Sequence, residues 1–140
     1  MKPKTDIDII LYTEKYRDQM LALQKRLWSP SPSLIEAFLK WKYDQNPSAP
    51  EGAIFLAMAG ERVVGMRGYT PSSWRTPLAG CEFIPLAGDT VVDPEFEGMG
   101  LVQRMTEAAK QYYAKRGVAV MLNTSASRAI HYISLRCLRR

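Results

Sequence analysis

The residues of this chain best suited to chemistry lie in one segment, residues 91–102, with the sequence VVDPEFEGMGLV. An apolar run ends there, two glycines follow, and a helical pattern begins directly after Gly100. The first amides of a helix have no intrahelical acceptor, and the helix dipole adds positive potential at the same end. Glycine at positions 98 and 100 lets the backbone approach a ligand closely, because no Cβ intervenes. The segment therefore predicts a site for an anion such as a phosphate group.

The charge of the chain also favours an anionic ligand. The formal net charge is +5 at pH 7, and Glu107 is the only acidic residue between positions 104 and 140. A positive field attracts a phosphorylated cofactor, and it also attracts nucleic acid. A solvated basic helix face is the alternative that charge alone leaves open. Nucleic-acid binding ranks last among the functions, because neither interleaved aromatic residues nor a recognised module accompanies the basic residues.

Composition indicates a globular domain. The 140 residues, 46% hydrophobic and 24% charged, fit one domain spanning residues 1–140 with one core. No apolar run approaches the roughly 20 residues that a membrane span needs, and the N-terminus leads into Asp6 and Asp8 rather than an apolar signal region. We therefore expect a cytoplasmic protein without a membrane partner. Cys81 and Cys137 lack CxxC spacing and histidine companions, so neither a disulfide framework nor a metal site is expected.

Hydrophobic periodicity predicts the elements of the first half of the chain. A strand is expected at residues 6–12, followed by a helix that is capped by Thr13 and ends near Trp28. Ser33 caps a second predicted helix, which ends before Asn46. Two strands, residues 53–59 and 62–69, are predicted to form a hairpin around a Gly-Glu turn.

The second half of the chain predicts a βαβ unit around the glycine segment. Residues 71–77 are predicted to form a loop, and residues 81–92 one long strand that bends at Pro85 or Gly88. A helix from Leu101 to Gly117 follows, then a buried parallel strand at residues 118–122 and a last helix at residues 127–140. The order β-α-α-β-β-β-α-β-α predicts an α/β (α+β) fold with a mixed sheet.

This order, together with the pattern VxPxxxGxGL, resembles the GNAT superfamily of N-acetyltransferases, which bind acetyl-CoA. In that family a Gln/Arg-x-x-Gly-x-Gly/Ala pattern opens the helix after the fourth strand, and its backbone amides hold the pyrophosphate of coenzyme A. The six positions fall on residues 97–102, where Gly100 matches and Glu97 and Val102 depart from the pattern. Backbone donation requires neither side chain, so we expect weakened affinity rather than a different fold. The implied cradle consists of the amides of Gly98, Met99, Gly100, Leu101 and Val102.

The resemblance also implies how the rest of the cofactor is held. The backbone of Val91 and Val92 would pair with the pantetheine arm, and the central strands would splay to admit the acyl chain. Asn123 would either bond the pantetheine or cap the next helix. A second, weaker likeness is the segment Trp41-Lys42-Tyr43 followed by Asn46-Pro47, which resembles one branch of uncharacterised family members.

Acetyl transfer to an amine needs a base, a polarised thioester carbonyl and an acid for the departing thiolate. The resemblance implies that a backbone amide at Val91 or Val92 polarises the carbonyl and that a carboxylate on the same strand is the base. Asp89 and Glu82 are the candidates, with Asp89 nearer the expected cleft. Tyr132 on the last helix is the candidate acid. A bulge role for Asp89 and a core role for Tyr132 stay open as alternatives.

The implied function is direct transfer of an acetyl group from acetyl-CoA to a small-molecule or peptide amine. Binding of CoA without turnover is the second reading. Family members usually continue past the last helix into two more strands, and residues 135–140 stop before that turn. We therefore expect a domain that lacks the C-terminal hairpin, with an exposed sheet edge that favours a homodimer.

Overall fold

The computed structural model describes residues 6–27, 31–47, 52–77 and 80–124. The strands are β1 (Ile7–Leu11), β2 (Ala53–Ala59), β3 (Arg62–Thr70), β4 (Ser73–Thr76), β5 (Gly80–Phe83), β6 (Leu86–Val92) and β7 (Leu122–Asn123). The α-helices are α1 (Arg17–Gln24), α2 (Pro32–Leu39) and α3 (Leu101–Ala114). Short 3-10 turns at Glu14–Tyr16 and Pro94–Phe96 and a π-helical turn at Lys40–Asp44 complete the elements.

A five-stranded sheet in the order β1-β2-β3-β6-β7 forms the centre, and β4 and β5 form a separate two-stranded sheet. The first four strands of the large sheet are antiparallel, and β7 joins β6 in parallel. The mixed α/β sheet predicted from the sequence is confirmed. The parallel pair is short, with Leu86 opposite Leu122 and Ala87 opposite Asn123. From Gly88 onward, β6 pairs only with β3 within the described ranges, which leaves its other edge open.

Helices cover both faces of the sheet because its inner strands are apolar on both sides. Every residue of β2 from Ala53 to Met58 is buried. On one face α3 contributes Leu101, Met105, Ala109 and Tyr113 to the core, and on the other face α1 and α2 contribute Met20, Leu23, Ile35 and Leu39. Among the described residues, no helix has the length and apolar character needed to cross a bilayer.

The predicted hairpin is confirmed, since β2 and β3 pair from Ala53 opposite Tyr69 to Ala59 opposite Arg62. Gly60 in the turn adopts φ of +61°. This left-handed conformation is accessible to glycine at little cost, so the Gly-Glu pair alone was enough to predict the turn.

The loop predicted at residues 71–77 is wrong, as is the single long strand predicted at residues 81–92. Ser73–Thr76 pairs with Gly80–Phe83 as a small hairpin, and the chain enters the large sheet only at Leu86. The division falls at Pro85, which lacks an N–H for a strand ladder. The true order therefore contains two strands more than expected before α3.

The start of the second helix also differs from the prediction. Ser31 rather than Ser33 is the N-cap residue, and Pro32 occupies the first helical position. Proline fits there because its fixed φ is helical and its missing N–H would have no acceptor. The first helix ends at Gln24, and Trp28 lies outside the described residues.

The buried strand predicted at residues 118–122 is reduced to Leu122–Asn123. Gly117, with φ of +77°, and Val118 still close the C-terminus of α3, where the Val118 amide donates to the Tyr113 carbonyl at 3.1 Å. Val120 is 51% exposed. The apolar run at residues 118–122 predicted a strand, but the backbone of Val118 instead takes part in capping the C-terminus of α3. The helix predicted at residues 127–140 lies outside the described residues.

The π-helical turn Lys40–Asp44 lays the Tyr43 ring on β3 at Gly68. A Cβ added to Gly68 would lie 2.7 Å from Tyr43 Cζ and closer still to its hydroxyl oxygen. Because both partners are held by regular structure, we expect Gly68→Ala to lower the free energy of unfolding by about 2 kcal/mol. Urea denaturation measures it. The control is Gly88→Ala, whose Cβ would meet Lys42 Nζ at an ordinary 3.6 Å; equal stability of the two variants would contradict this packing.

Asp93 fastens the end of β6. Its carboxylate accepts from Arg62 at 2.8 Å and from the Glu95 amide at 3.1 Å, and Arg26 lies at 3.7 Å. Burial raises the pKa of Asp93, but the Glu95 amide and the two guanidinium groups outweigh it and lower the pKa below its ordinary 3.8.

A lowered folded-state pKa means that the stabilisation is present above the unfolded-state pKa and is lost as the pH falls through the folded-state value. We expect part of the acid destabilisation between about pH 5 and about pH 2 to disappear in Asp93→Asn, which is also less stable at neutral pH. Chemical denaturation across that range measures both. Parallel pH profiles for the two proteins would refute the assignment.

Candidate active site

A cavity of about 600 Å³ opens between the end of β6 and the start of α3. Six of the residues predicted to hold a cofactor line it, namely Val91, Val92, Gly98, Gly100, Leu101 and Val102. Thr90, Phe96, Glu97 and Gln103 complete the lining. Residues picked from a short sequence pattern thus meet around one opening.

The glycines shape the mouth of this cavity. Gly98 and Gly100 adopt φ of +78° and +73°, and a Cβ at either position would meet no atom within 4 Å. Their requirement is conformational rather than steric, since L residues rarely adopt this region. The first helical bond of α3 runs from the Arg104 amide to the Gly100 carbonyl at 3.1 Å. The amides of residues 101–103 therefore precede the helical ladder and are available to a ligand.

The open edge of β6 supplies further donors. The Asp93 amide donates to the Val64 carbonyl of β3 at 2.8 Å. Because successive amides of a strand point in opposite directions, the Val92 amide points away from β3. It lies on the side of the cavity, where an extended ligand can pair with it as a strand would.

Two predicted cofactor residues lie apart from this cavity. Met99 is exposed and lines a neighbouring opening of about 440 Å³ with Ile9 and Arg104. Asn123 lies on β7, where it pairs with Ala87 of β6. A role for either in binding a cofactor stays a prediction. Glu97, which departs from the family pattern, is exposed at the cavity.

Asp89 lies on a β-bulge of β6. Met66 pairs with Val91 and Gly68 with Gly88, so two residues of β6 lie opposite the single residue Arg67 of β3. Asp89 has φ of +47° and is the one non-glycine residue in the described ranges with a positive φ. Strained backbone of this kind is concentrated at functional sites. Asp89 therefore lies in a bulge, which is the alternative that the sequence left open. A bulge position is compatible with a catalytic role.

The Asp89 side chain is held by two residues that the sequence did not single out as site residues. Its Oδ2 accepts from Lys42 Nζ and from the Tyr43 hydroxyl, each at 2.6 Å. The carboxylate is 0% exposed and Lys42 is 17% exposed. Its second oxygen, Oδ1, is buried without a hydrogen-bond partner in the described part of the chain. One acceptor oxygen is therefore fixed while the other is unused.

Tyr43 serves this cluster as a donor. Burial, the charge of Asp89 and the hydrogen bond to it raise the pKa of Tyr43 well above the usual 10.0. The hydroxyl consequently stays protonated and oriented toward the carboxylate at physiological pH. The second helix predicted from the sequence runs regularly through Trp41 and Tyr43, but the π-helical turn changes which side chains face the sheet. Trp41 is 62% exposed as a result.

Of the other two catalytic candidates, the described residues include only Glu82. Glu82 lies on β5 of the small sheet, opposite Trp74. Tyr132 lies outside the described residues, so its role as an acid stays a prediction. The family resemblance implied Asp89, whereas its contacts with Lys42 and Tyr43 required the tertiary structure. The one sequence signal for them was the Trp-Lys-Tyr segment itself.

Solved structures with the same fold include several acetyltransferases. The aminoglycoside N-acetyltransferase AAC(6')-Iy, in complex with the bisubstrate analogue CoA-S-monomethyl-acetylneamine, is 20% identical with a TM-score of 0.70, covering 95% of this chain and 89% of that one. AAC(6')-IG from Acinetobacter haemolyticus is 14% identical with a TM-score of 0.71, covering 94% and 88%. A predicted acetyltransferase with acetyl-CoA from Clostridium acetobutylicum is 10% identical with a TM-score of 0.75, covering 94% and 88%.

A search of curated proteins found no match. The sequence model of the acetyltransferase (GNAT) domain, however, matches residues 8–133, which is most of the chain. The fold found among the solved structures agrees with that match. The chain therefore belongs to the GNAT acetyltransferase domain family.

Proposed function

We propose that this protein transfers an acetyl group from acetyl-CoA to an amine by direct attack. The observation that carries the proposal is the cavity between β6 and α3, where unpaired helix amides and an open strand edge meet. The amides suit a pyrophosphate, and the strand edge suits the amide groups of a pantetheine arm. Family membership supports an acyl donor of this kind.

Acetyl-CoA fits the residues that are present. Residues 101–103 would hold the pyrophosphate through backbone amides, and the helix dipole of the fourteen-residue α3 adds to the attraction. The Val92 amide would bind the pantetheine. Glu97 opposes the phosphate charge, but its exposure leaves its carboxylate in water, where the repulsion is screened. Bound acetyl-CoA supplies an activated acyl group.

Asp89 is the base in this proposal. Its unused Oδ1 takes a proton from the acceptor ammonium, whose neutral nitrogen then attacks the acyl carbon. A nitrogen–carbon bond forms and the carbon–sulfur bond breaks. The nitrogen gives up its second proton and the leaving sulfur takes one to become a thiol, so these two proton movements balance. Lys42 and Tyr43 orient the carboxylate through Oδ2. Tyr132 remains the proposed source of the proton for sulfur.

The acceptor in this proposal is a small-molecule or peptide amine. The described relative AAC(6')-Iy was solved with an analogue joining CoA to acetylneamine, which supports an amine as the acceptor class on this fold. CoA binding without turnover is the second candidate. The enclosure of Asp89 favours it, because Lys42 and Tyr43 cover the carboxylate in this structure.

Binding of the donor can be tested with two glycines in the same conformation. Gly100 and Gly117 have φ of +73° and +77°, and a Cβ at either would meet nothing within 4 Å. Replacement by alanine therefore costs about 1 kcal/mol of stability at each site. We expect Gly100→Ala alone to weaken acetyl-CoA binding in calorimetry, by about tenfold, because only Gly100 borders the cavity. Equal affinity of the two variants would exclude this cradle.

Catalysis can be separated from binding at Asp89. We expect Asp89→Asn to lower thiol release from acetyl-CoA, measured with a panel of amines, by about 100-fold. Acetyl-CoA affinity should change little, because Asp89 does not line the donor cavity. The control is Asp8→Asn, an exposed residue of β1. If the wild-type protein binds acetyl-CoA but releases no thiol with any amine, the second candidate function replaces the first.

A further inference from the structure

Arg67 of β3 is a buried cation whose hydrogen-bond acceptors within the described residues are neutral. It is 1% exposed and lies opposite Phe55 of β2, in the aromatic part of the core. Its Nε donates to the Tyr69 hydroxyl at 3.0 Å and its Nη1 to Thr90 Oγ1 at 2.8 Å. Both acceptors are neutral, and the described part of the chain gives Arg67 no ion pair.

A buried guanidinium is costly unless negative charge or strong acceptors compensate it. The Tyr69 ring lies 5.7 Å from the guanidinium carbon and offers only a partial compensation. Residues 125–140 contain no Asp or Glu, so no acidic side chain of that segment can pair with Arg67. A buried guanidinium with neutral acceptors is suited to stabilising negative charge that develops on a bound ligand.

Thr90 connects this cation to the cavity. Its hydroxyl oxygen accepts from Arg67, and its own proton has only a long contact of 3.4 Å with the Gly88 carbonyl. An O–H···O bond of normal strength is near 2.8 Å, so this proton is free to turn to a better acceptor. Thr90 lines the donor cavity. A hydroxyl that accepts from a guanidinium is also a stronger donor, because hydrogen bonds in a chain polarise one another.

We propose that the Thr90 hydroxyl donates to the thioester carbonyl oxygen of the acyl donor. Arg67 strengthens this bond through its own hydrogen bond to the Thr90 oxygen. The inference rests on the proposed function. Thr90 directly follows Asp89 on the bulge, so the proposed donor to the carbonyl and the proposed base belong to adjacent residues. The phosphate cradle lies at the other end of the cavity, beyond Val92. As the amine adds, negative charge grows on the carbonyl oxygen, and the hydroxyl and cation stabilise it. Thr90 forms no covalent bond, and Arg67 is a positioning residue.

The test compares acetyl-CoA with CoA, because CoA shares every group of the donor except the thioester carbonyl and its methyl. Calorimetry gives both affinities for the wild type and for Thr90→Val, Thr90→Ser and Thr106→Val. Thr106 is a matched control, since its hydroxyl donates to the Val102 carbonyl at 2.7 Å and does not line the cavity. No acceptor substrate is needed.

We expect Thr90→Val to weaken acetyl-CoA binding by about tenfold and CoA binding little, with Thr90→Ser close to the wild type. Thr106→Val should leave the ratio of the two affinities unchanged. Arg67→Met should reduce the ratio of acetyl-CoA affinity to CoA affinity although the Thr90 hydroxyl is still present. Arg67→Lys should reduce this ratio less. A merely structural role would weaken both ligands together.

An unchanged ratio in Thr90→Val overturns the inference and leaves the proposed function intact. Equal weakening of both ligands also overturns it, since the hydroxyl would then contact a group that CoA shares. If the wild type binds neither ligand, the proposed function and this inference fail together. Should the Arg67 variants not fold, the Val and Ser variants at Thr90 still decide the outcome.

Discussion

The β-bulge that sets Asp89 and Thr90 opposite Arg67 determines which face of the sheet each polar side chain of β6 reaches. Regular pairing would send neighbouring residues of β6 to opposite faces in strict alternation. The extra residue shifts the phase of this alternation, so that Ala87 and Val91 pack in different clusters, Asp89 lies against the turn after α2 and Thr90 lies at the cavity beside α3. It also costs strain, since Asp89 is held at φ of +47°. The bonds from Lys42 and Tyr43 offset that strain, so the bulge and the π-helical turn depend on each other.

Both charges at the bulge are buried, and they are compensated differently. Asp89 has an ion pair with Lys42 and a phenolic donor, whereas Arg67 has neutral acceptors. Burying an ion pair is seldom a gain over apolar packing, because desolvation cancels much of the attraction. The fold therefore gains little stability from these groups. The roles proposed for Asp89, Thr90 and Arg67 would account for buried charge in this part of the sheet.

Local features of the fold were predictable from the sequence, and non-local ones were not. The Gly60 turn and the glycines before α3 could be predicted because the positive φ values they adopt are needed by turns of only a few residues. The bulge, the separate small sheet and the π-helical turn depend on register between distant strands, which alternation of residue types does not encode. Asp89 is a candidate because the family resemblance implies a carboxylate on this strand. Lys42, 47 positions away, reaches it only through folding.

The distribution of charge explains why the proposed anion site depends on the backbone rather than on side chains. The sequence places basic residues after the glycine turn, but the structure engages several of them elsewhere. Arg104 donates to the Ile7 carbonyl, and Lys110 pairs with Glu107 at 3.1 Å. The charged side chain that lines the donor cavity within the described residues is Glu97, which is acidic. The amides at the start of α3 cannot be neutralised or diverted in this way, because their direction is fixed by the helix. Departure from the family pattern at residues 97 and 102 therefore leaves the backbone amides of the proposed anion site in place.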